Sequence, residues 1–238
     1  MNGILFKPWK QKFIREHPDM EVQTRRLSGL KEINKEPDKW ILSNYISADG
    51  AYRFHTILYD MVDEIQWVKP RYHKDEVVYI KEAWATEKRF DNKPPNFFGD
   101  AATVPMWWRF DDDIPETIGL ERGRWRSPLH LPSWLARDFV KILYDPVAQR
   151  LQEITPEECL LEGIEIHTDR GNNIFWYEIA GDYHGKTQRV TAIKSYEYLW
   201  DSINPKYSWE LNPWVFAYTI RLVNREERQK VNELGNMY

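Results

Sequence analysis

The sequence predicts an α+β fold built around a small β-barrel. Segments with strand-like patterns outnumber helical ones, and the few short helices fall between them. The 238 residues include 12 tryptophans and are 15% aromatic, which suits one sizeable packed core. We expect a single elaborated domain over residues 1–223, with insertions at about 34–68 and 88–123. A polar tail, 224–238, is expected to form either a loosely held helix or a disordered end.

The first segment combines an amphipathic stretch with a basic tetrad. Apolar and basic residues alternate between Ile4 and Met20 in a way that predicts a helix with one buried stripe, and Pro18 ends that helix. The tetrad Gln23-Thr24-Arg25-Arg26 follows, in an ordered loop or at the start of a strand. A hydroxyl beside two fixed positive charges suits an anionic or base-like ligand, whereas charge alone also fits a solvated basic face.

Strand signals dominate the first two thirds of the chain. Residues 39–58 read as a hairpin around Asp49-Gly50, and residues 76–84 read as a central strand. Residues 88–123, rich in proline and acidic residues, predict a long loop or insertion. Residues 137–152 suit a long strand that bends at Asp145-Pro146.

The clearest helix start is Thr155-Pro156-Glu157-Glu158, where Thr155 is the N-cap and Glu158 completes a capping box. Gly163 ends this helix directly after Glu162. The remaining predictions are strands at 173–180, 187–193 and 214–223, and a helix at 195–203 with Tyr198, Leu199 and Trp200 on its inner side. Three tryptophans are expected to seal the barrel: Trp200, Trp209 and Trp214.

Composition narrows the classes of function. A net charge of -4 excludes a protein coated in positive potential, so nucleic acid would bind through a local patch. The single cysteine, Cys159, has no disulfide or zinc partner and is expected to be a buried apolar residue. We expect no metal and no cofactor. Without a leader or a membrane-length apolar run, the chain is predicted to be cytoplasmic.

Several residues have both a functional and a structural interpretation. Arg122, Arg124 and Arg126 alternate with Trp125, so guanidinium groups could hold phosphates while the indole stacks on a base; alternatively, Trp125 anchors an exposed basic loop. His130 is either a satisfied, partly buried histidine or a stacking partner for a nucleobase.

The candidate hydroxyl and carboxylates are also ambiguous. Thr24 either contributes to a site or only caps a turn or pairs in a strand. Glu82 either takes part in catalysis or forms a structural ion pair with Arg26 or Arg126. Glu162 stands where a helix dipole disfavours a negative charge, so exposure or pairing with an arginine would explain it equally well.

Four sequence blocks together resemble the ASCH domain family of the PUA-like superfamily, in particular its elaborated members encoded by phages and prophages. The first block is Ile4-Leu5-Phe6 with the tetrad, and the second is residues 75–84. The third combines residues 125–134, 150–154 and 162–164, and the fourth combines residues 199–204 and 212–215. Their order and spacing span most of residues 4–223. Each short block alone would be a weak signal.

The resemblance implies a mostly antiparallel, PUA-like β-barrel with a cleft beside the first helix. It also implies a protein of the bacterial host cytoplasm that binds RNA or a modified nucleotide, with DNA as an alternative ligand. Thr24, Arg26, Glu82 and Glu162 would line this cleft. The full set of implied binding residues is Gln23, Arg25, Arg26, Glu82, Arg124, Trp125, Arg126 and His130.

The resemblance also implies an enzymatic alternative. Some small bacterial members are similar to amidohydrolases that remove an acyl group from N4-acetylcytidine with a lysine, a threonine and a glutamate. Thr24 and Glu162 match two of these positions, but Glu21 stands at the lysine position. Because an ionised glutamate repels an oxyanion, either Glu21 and Glu162 act as acid and base by another route, or only binding remains. A third hypothesis is a phage accessory protein that binds a host protein through residues 88–123 or the tail.

Overall fold

The computed structural model describes residues 1–98, 104–109, 119–169, 172–179, 182–184, 191–224 and 227. These residues form a mixed α+β structure in which most strand pairs are antiparallel. The chain divides into two compact units made of discontinuous segments. The first unit contains Met1–Pro18, Val77–Lys141 and Leu222–Tyr238, and the second contains Asp19–Glu76 and Ile142–Arg221.

The α-helices are α1 (Pro8–Glu16), α2 (Pro156–Leu161) and α3 (Ala192–Ile203). The strands, in chain order, are β1 (Gly3–Leu5), β2 (Val22–Arg26), β3 (Ile41–Ile46), β4 (Tyr52–Leu58), β5 (Met61–Val68), β6 (Val77–Lys81), β7 (Trp84–Thr86), β8 (Met106–Trp108), β9 (Phe139–Ile142), β10 (Val147–Arg150), β11 (Glu165–Asp169), β12 (Asn172–Ile179), β13 (Asp182–His184) and β14 (Trp214–Leu222).

The first unit is organised around β6, which is a central strand as predicted. It pairs in parallel with β1 and antiparallel with β9, while β7 pairs with β8. The side-chain amide of Gln11 on α1 donates to the carbonyls of Phe6 and Lys81, both at 3.2 Å, and so ties the helix to the ends of β1 and β6. A largely aromatic core that includes Tyr79, Trp84 and Trp108 fills this unit.

The second unit contains three groups of strands. Strand β14 lies between β2 and β10, and the other two groups are the antiparallel sheets β3-β4-β5 and β11-β12-β13. The inner face of the β3-β4-β5 sheet packs through Phe54, whose ring meets that of Trp214 edge-on at 5.2 Å. Trp200 and Trp214 are buried here and Trp209 is half-buried, so two of the three tryptophans expected to be sealed are fully covered.

The predicted capping box is confirmed. Thr155 Oγ1 accepts from the Glu158 amide at 3.2 Å, and the Glu158 carboxylate accepts from the Thr155 amide at 3.0 Å. Gly163 follows the helix in the left-handed region with a φ of 99°, where a side chain would be strained.

Other boundaries differ from the predictions. The single strand expected at 137–152 is wrong: it is two strands, β9 and β10, separated around Pro146, which cannot donate to a strand ladder. The predicted hairpin gains a third strand, β5, after a turn at Tyr59 and Asp60, which both have positive φ. Part of the expected loop at 88–123 is strand β8, while 99–103 and 110–118 lie outside the described residues.

The last third of the chain departs from expectation at two places. The end of the strand predicted at 187–193 instead begins α3, because the Thr191 hydroxyl accepts from the Lys194 amide as an N-cap; residues 185–190 lie outside the described part. Tyr198 is exposed rather than on the inner side of α3, whereas Leu199 and Trp200 are buried. Nearly all of the predicted tail, 225–226 and 228–238, is also outside the described residues.

Candidate functional site

The basic tetrad lies in β2, inside the second unit. Strand β2 pairs antiparallel with β14, so that Thr24 stands opposite Tyr218 and Arg25 stands opposite Ala217. Side chains alternate along a strand, which puts Thr24 and Arg26 on one face and Gln23 and Arg25 on the other. Thr24 and Arg25 are both buried. The tetrad is therefore not a solvated basic face.

Arg25 forms the centre of a buried polar cluster. Its guanidinium donates to Glu162 at 3.1 Å and to Glu158 at 2.9 Å, and it lies 6.0 Å from the centre of the Tyr196 ring. Burial alone would lower the pKa of Arg25, but Glu162, Tyr196 and Glu158 outweigh burial and raise it. The ion pair explains why a carboxylate is found at the end of α2. Arg25 therefore links β2 to α2 through the two carboxylates and to α3 through the Tyr196 ring.

Arg26 points to the opposite face of β2 and is half-buried. Burial lowers the pKa of Arg26, and Tyr72, Glu162 and Tyr218 offset part of that decrease. The guanidinium nevertheless stays charged, as arginines in proteins do. Burial also raises the pKa of Tyr218 to about 12, and its hydroxyl accepts from the Arg71 amide at 3.1 Å.

The three residues of the hydrolase hypothesis differ in burial: Thr24 and Glu162 are buried, and Glu21 is exposed. Glu21 is exposed, and its carboxylate accepts from the Tyr144 hydroxyl at 3.0 Å. Thr24 is buried on the face of β2 opposite Arg25, the residue that contacts Glu162. Nearby Cys159 is no alternative nucleophile, because burial raises the pKa of its thiol to about 12.

Glu82 belongs to the first unit and has different partners from those expected. Its side chain is 1% exposed and is held by Arg15 at 2.5 Å and by Arg137 at 3.0 and 3.1 Å. Arg15 also binds Asp138 at 2.7 Å, and the Arg137 guanidinium lies 4.5 Å from the centre of the Trp108 ring. The pairing predicted for Glu82 is wrong, since its carboxylate is held by Arg15 and Arg137. Neither Arg15 nor Arg137 was identified from the sequence.

Exposed cations and aromatic rings meet in the first unit. We call Lys93, Phe97, Arg122, Arg124 and Trp125 the basic–aromatic surface. The Arg122 guanidinium lies 4.5 Å from the centre of the half-buried Trp125 ring, and the Lys93 ammonium lies 4.8 Å from that of the exposed Phe97 ring. Arg122 and Arg124 are themselves exposed. A half-buried Trp125 between exposed arginines fits both interpretations of this segment, a ligand surface and a basic loop anchored by Trp125.

Arg124 and Arg126 fasten the two segments of this surface together. Arg124 donates through its amide to the Asp91 carboxylate and through its guanidinium to the Asp91 carbonyl, both at 2.9 Å. Arg126 donates to the carbonyls of Lys93 and Phe90 at 2.7 Å, and it stacks over Trp84 at 4.8 Å. Arg126 is thus a structural anchor, whereas its neighbours present their charge to solvent. His130 is exposed, which rules out the partly buried interpretation.

Gly123 lies at the closest approach between these segments, and its replacement should disturb them. A Cβ at this position would lie 2.1 Å from Asp91 Oδ1 and 3.0 Å from the Thr86 carbonyl oxygen. We expect Gly123→Ala to lower the free energy of unfolding by about 1–3 kcal/mol in a urea titration, because Asp91 must move. In an Asp91→Ala background the same change should cost much less; an equal cost in both backgrounds would show that Asp91 is not the obstacle.

Other kinds of site find no support in the described part of the chain. Within it, no three histidine, cysteine or carboxylate side chains are grouped as metal ligands would be. The helices described there are too short or too polar to span a bilayer.

No family model matches this chain, and searches of curated proteins and of solved structures gave no significant match.

Proposed function

We propose that this chain is an ASCH-type, PUA-like protein of the cytoplasm that binds single-stranded nucleic acid, RNA in particular, through the basic–aromatic surface of its first unit. The observation that carries the proposal is the exposed Arg122 guanidinium stacked on Trp125 beside exposed Arg124. Proteins that hold single strands combine a cationic groove for phosphates with aromatic faces for bases. This surface offers both groups.

The charge balance supports the same conclusion. Residues 88–98 and 121–130 contain six lysines and arginines and only two carboxylates, although the chain as a whole carries a net charge of -4. A local excess of positive charge on an acidic protein concentrates a polyanion at that patch. In these two segments Lys88 pairs with Glu121 and Arg89 pairs with Glu87, whereas Arg122 and Arg124 retain exposed guanidinium groups. Residues 99–120, between the two segments, carry five carboxylates and one arginine.

Two residues of the tetrad are not available for a ligand. Arg25 is buried between two carboxylates and Thr24 is covered, so neither can contact a phosphate directly without rearrangement of the second unit. We therefore propose Arg122 and Arg124 as the phosphate contacts in place of Arg25. Hydrolysis of an acylated cytidine stays a prediction from the sequence, since no observation brings Glu21, Thr24 and Glu162 together.

Fluorescence polarisation with labelled single-stranded RNA and DNA of about 12 nucleotides tests the proposal. We expect Arg122→Glu/Arg124→Glu to abolish most binding and to reduce the dependence of log affinity on log salt by about 1.4, the value for two lost phosphate contacts. Trp125→Ala should weaken binding about tenfold without changing that slope, because stacking releases no counterions.

The matched control is Lys31→Glu/Lys35→Glu, which reverses two exposed charges in the second unit. It should have little effect. The proposal fails if the wild-type protein binds neither oligonucleotide, or if the control lowers affinity as much as the double arginine variant does.

A further inference from the structure

The outer face of the β3-β4-β5 sheet carries a patch of apolar side chains, which is unusual for the solvent side of an antiparallel sheet. The strand register identifies this face. Phe54 and Thr56 point inward and are buried, so their neighbours His55 and Ile57 point outward. Ile41 and Ile65 flank His55, Val62 stands beside Ile57, and Trp67 stands beside Arg53. Apolar side chains thus lie on both faces of this sheet, whereas the outer face of a sheet in water is usually polar.

These outward side chains are exposed and adjoin one another. Ile41, Ile57, Val62, Ile65 and Trp67 are all accessible, and Tyr45 meets Trp67 edge-on with ring centres 5.6 Å apart. Ten of the nineteen large hydrophobic residues found exposed in the described part of the chain lie between residues 41 and 67. Isolated exposed hydrophobic residues are ordinary, but a contiguous patch of this kind marks an interaction surface.

The chemistry of the patch favours a protein partner over nucleic acid. Most of its outward side chains are aliphatic, and the surrounding charge is not positive. Residues 39–69 carry three lysines and arginines against four carboxylates. An acidic, aliphatic surface repels phosphates and gains by burying apolar area.

We propose that this face joins two copies of the chain in a symmetric homodimer, independently of nucleic-acid binding. Six large hydrophobic side chains on this face, at roughly 200 Å² each and about half exposed, present on the order of 600 Å², and an interface of standard size buries about 800 Å² per subunit. They supply most of the area of a standard interface, and the polar side chains around them, Arg53 among them, supply the rest.

The distribution of charge fits a two-fold arrangement. Arg53 lies near the start of β4, whereas exposed Asp60 lies in the turn at the other end of that strand. A two-fold axis perpendicular to the strands and parallel to the sheet plane reverses the strands of the second copy. It therefore brings the Arg53 end of each face to the Asp60 end of the other. Such self-complementarity is what an isologous contact requires.

Sedimentation equilibrium of the whole protein between about 1 and 100 µM tests this directly, because a dimer population rises with concentration. We expect wild type to reach twice the 28.7 kDa of the chain. Trp67→Lys and Ile65→Lys should each remain at the monomer mass, with an unchanged far-ultraviolet circular dichroism spectrum showing that they fold. Oligonucleotide affinity should persist in both variants.

The control is Trp134→Lys, which places the same substitution on a tryptophan of similar exposure, 45% against 49% for Trp67, in the first unit. It should leave the dimer intact. A wild-type protein that stays monomeric over this range would overturn the proposal. It would do so even if the face were found to bind a host protein or nucleic acid instead. A dimer that survives in the folded Trp67→Lys and Ile65→Lys variants would overturn it equally.

Discussion

Replacing Arg25 with methionine is expected to lower the free energy of unfolding by about 3–5 kcal/mol, the usual cost of removing one partner of a buried ion pair. The Arg25 side chain is inaccessible to solvent, and it is shared by Glu158 and Glu162. Without the guanidinium, the buried Glu162 carboxylate loses the cation that offsets the cost of its burial. Equilibrium urea unfolding measures the difference.

Two variants separate loss of charge pairing from loss of packing. Adding Glu162→Leu to Arg25→Met should recover much of the lost stability, because apolar groups of similar volume often replace a buried pair at little cost. Arg89→Met removes an exposed arginine that pairs with Glu87 and should change stability by less than about 1 kcal/mol. Equal effects at Arg25 and Arg89 would contradict the central position given to the buried cluster.

Replacing Glu82 with glutamine is expected to have the second-largest effect, a loss of about 2–3 kcal/mol. The substitution preserves shape but removes the charge that holds Arg15 and Arg137. The loss should be smaller than for Arg25, because the side chains of Arg15 and Arg137 are 27% and 28% exposed and water can hydrate them.

A matched change at the surface calibrates this result. Glu121→Gln alters the same chemical group in the ion pair with Lys88, where both side chains are exposed, and it should cost less than about 0.5 kcal/mol. If Glu82→Gln were as mild as Glu121→Gln, the two-arginine clamp around Glu82 would not contribute to stability.

Local signals made much of the fold predictable. The capping box at Thr155, the stop at Gly163 and the central strand β6 depend on residues near one another in sequence, and all are confirmed. The turn between β4 and β5 was missed because Tyr59 and Asp60 are not the asparagine and glycine residues that usually mark positive φ.

The sites were harder to predict because they depend on contacts distant in sequence. Whether Arg25 faces solvent or protein depends on α2, which lies more than 130 residues later in the chain. The partners of Glu82, Arg15 and Arg137, are 67 and 55 residues away from it, beyond any local pattern. In contrast, Trp125 and its flanking arginines are contiguous, and that cluster was recognised from the sequence alone.

The central claim is that nucleic acid meets the basic–aromatic surface rather than the tetrad. Ultraviolet cross-linking of a bound single-stranded oligonucleotide, followed by mass spectrometry of the peptides, tests it most directly. We expect adducts on the peptides that contain Trp125 and Phe97, and we expect the Arg122→Glu/Arg124→Glu variant to lose these adducts. Adducts confined to the Gln23-Thr24-Arg25-Arg26 segment or to residues 41–67 would contradict it.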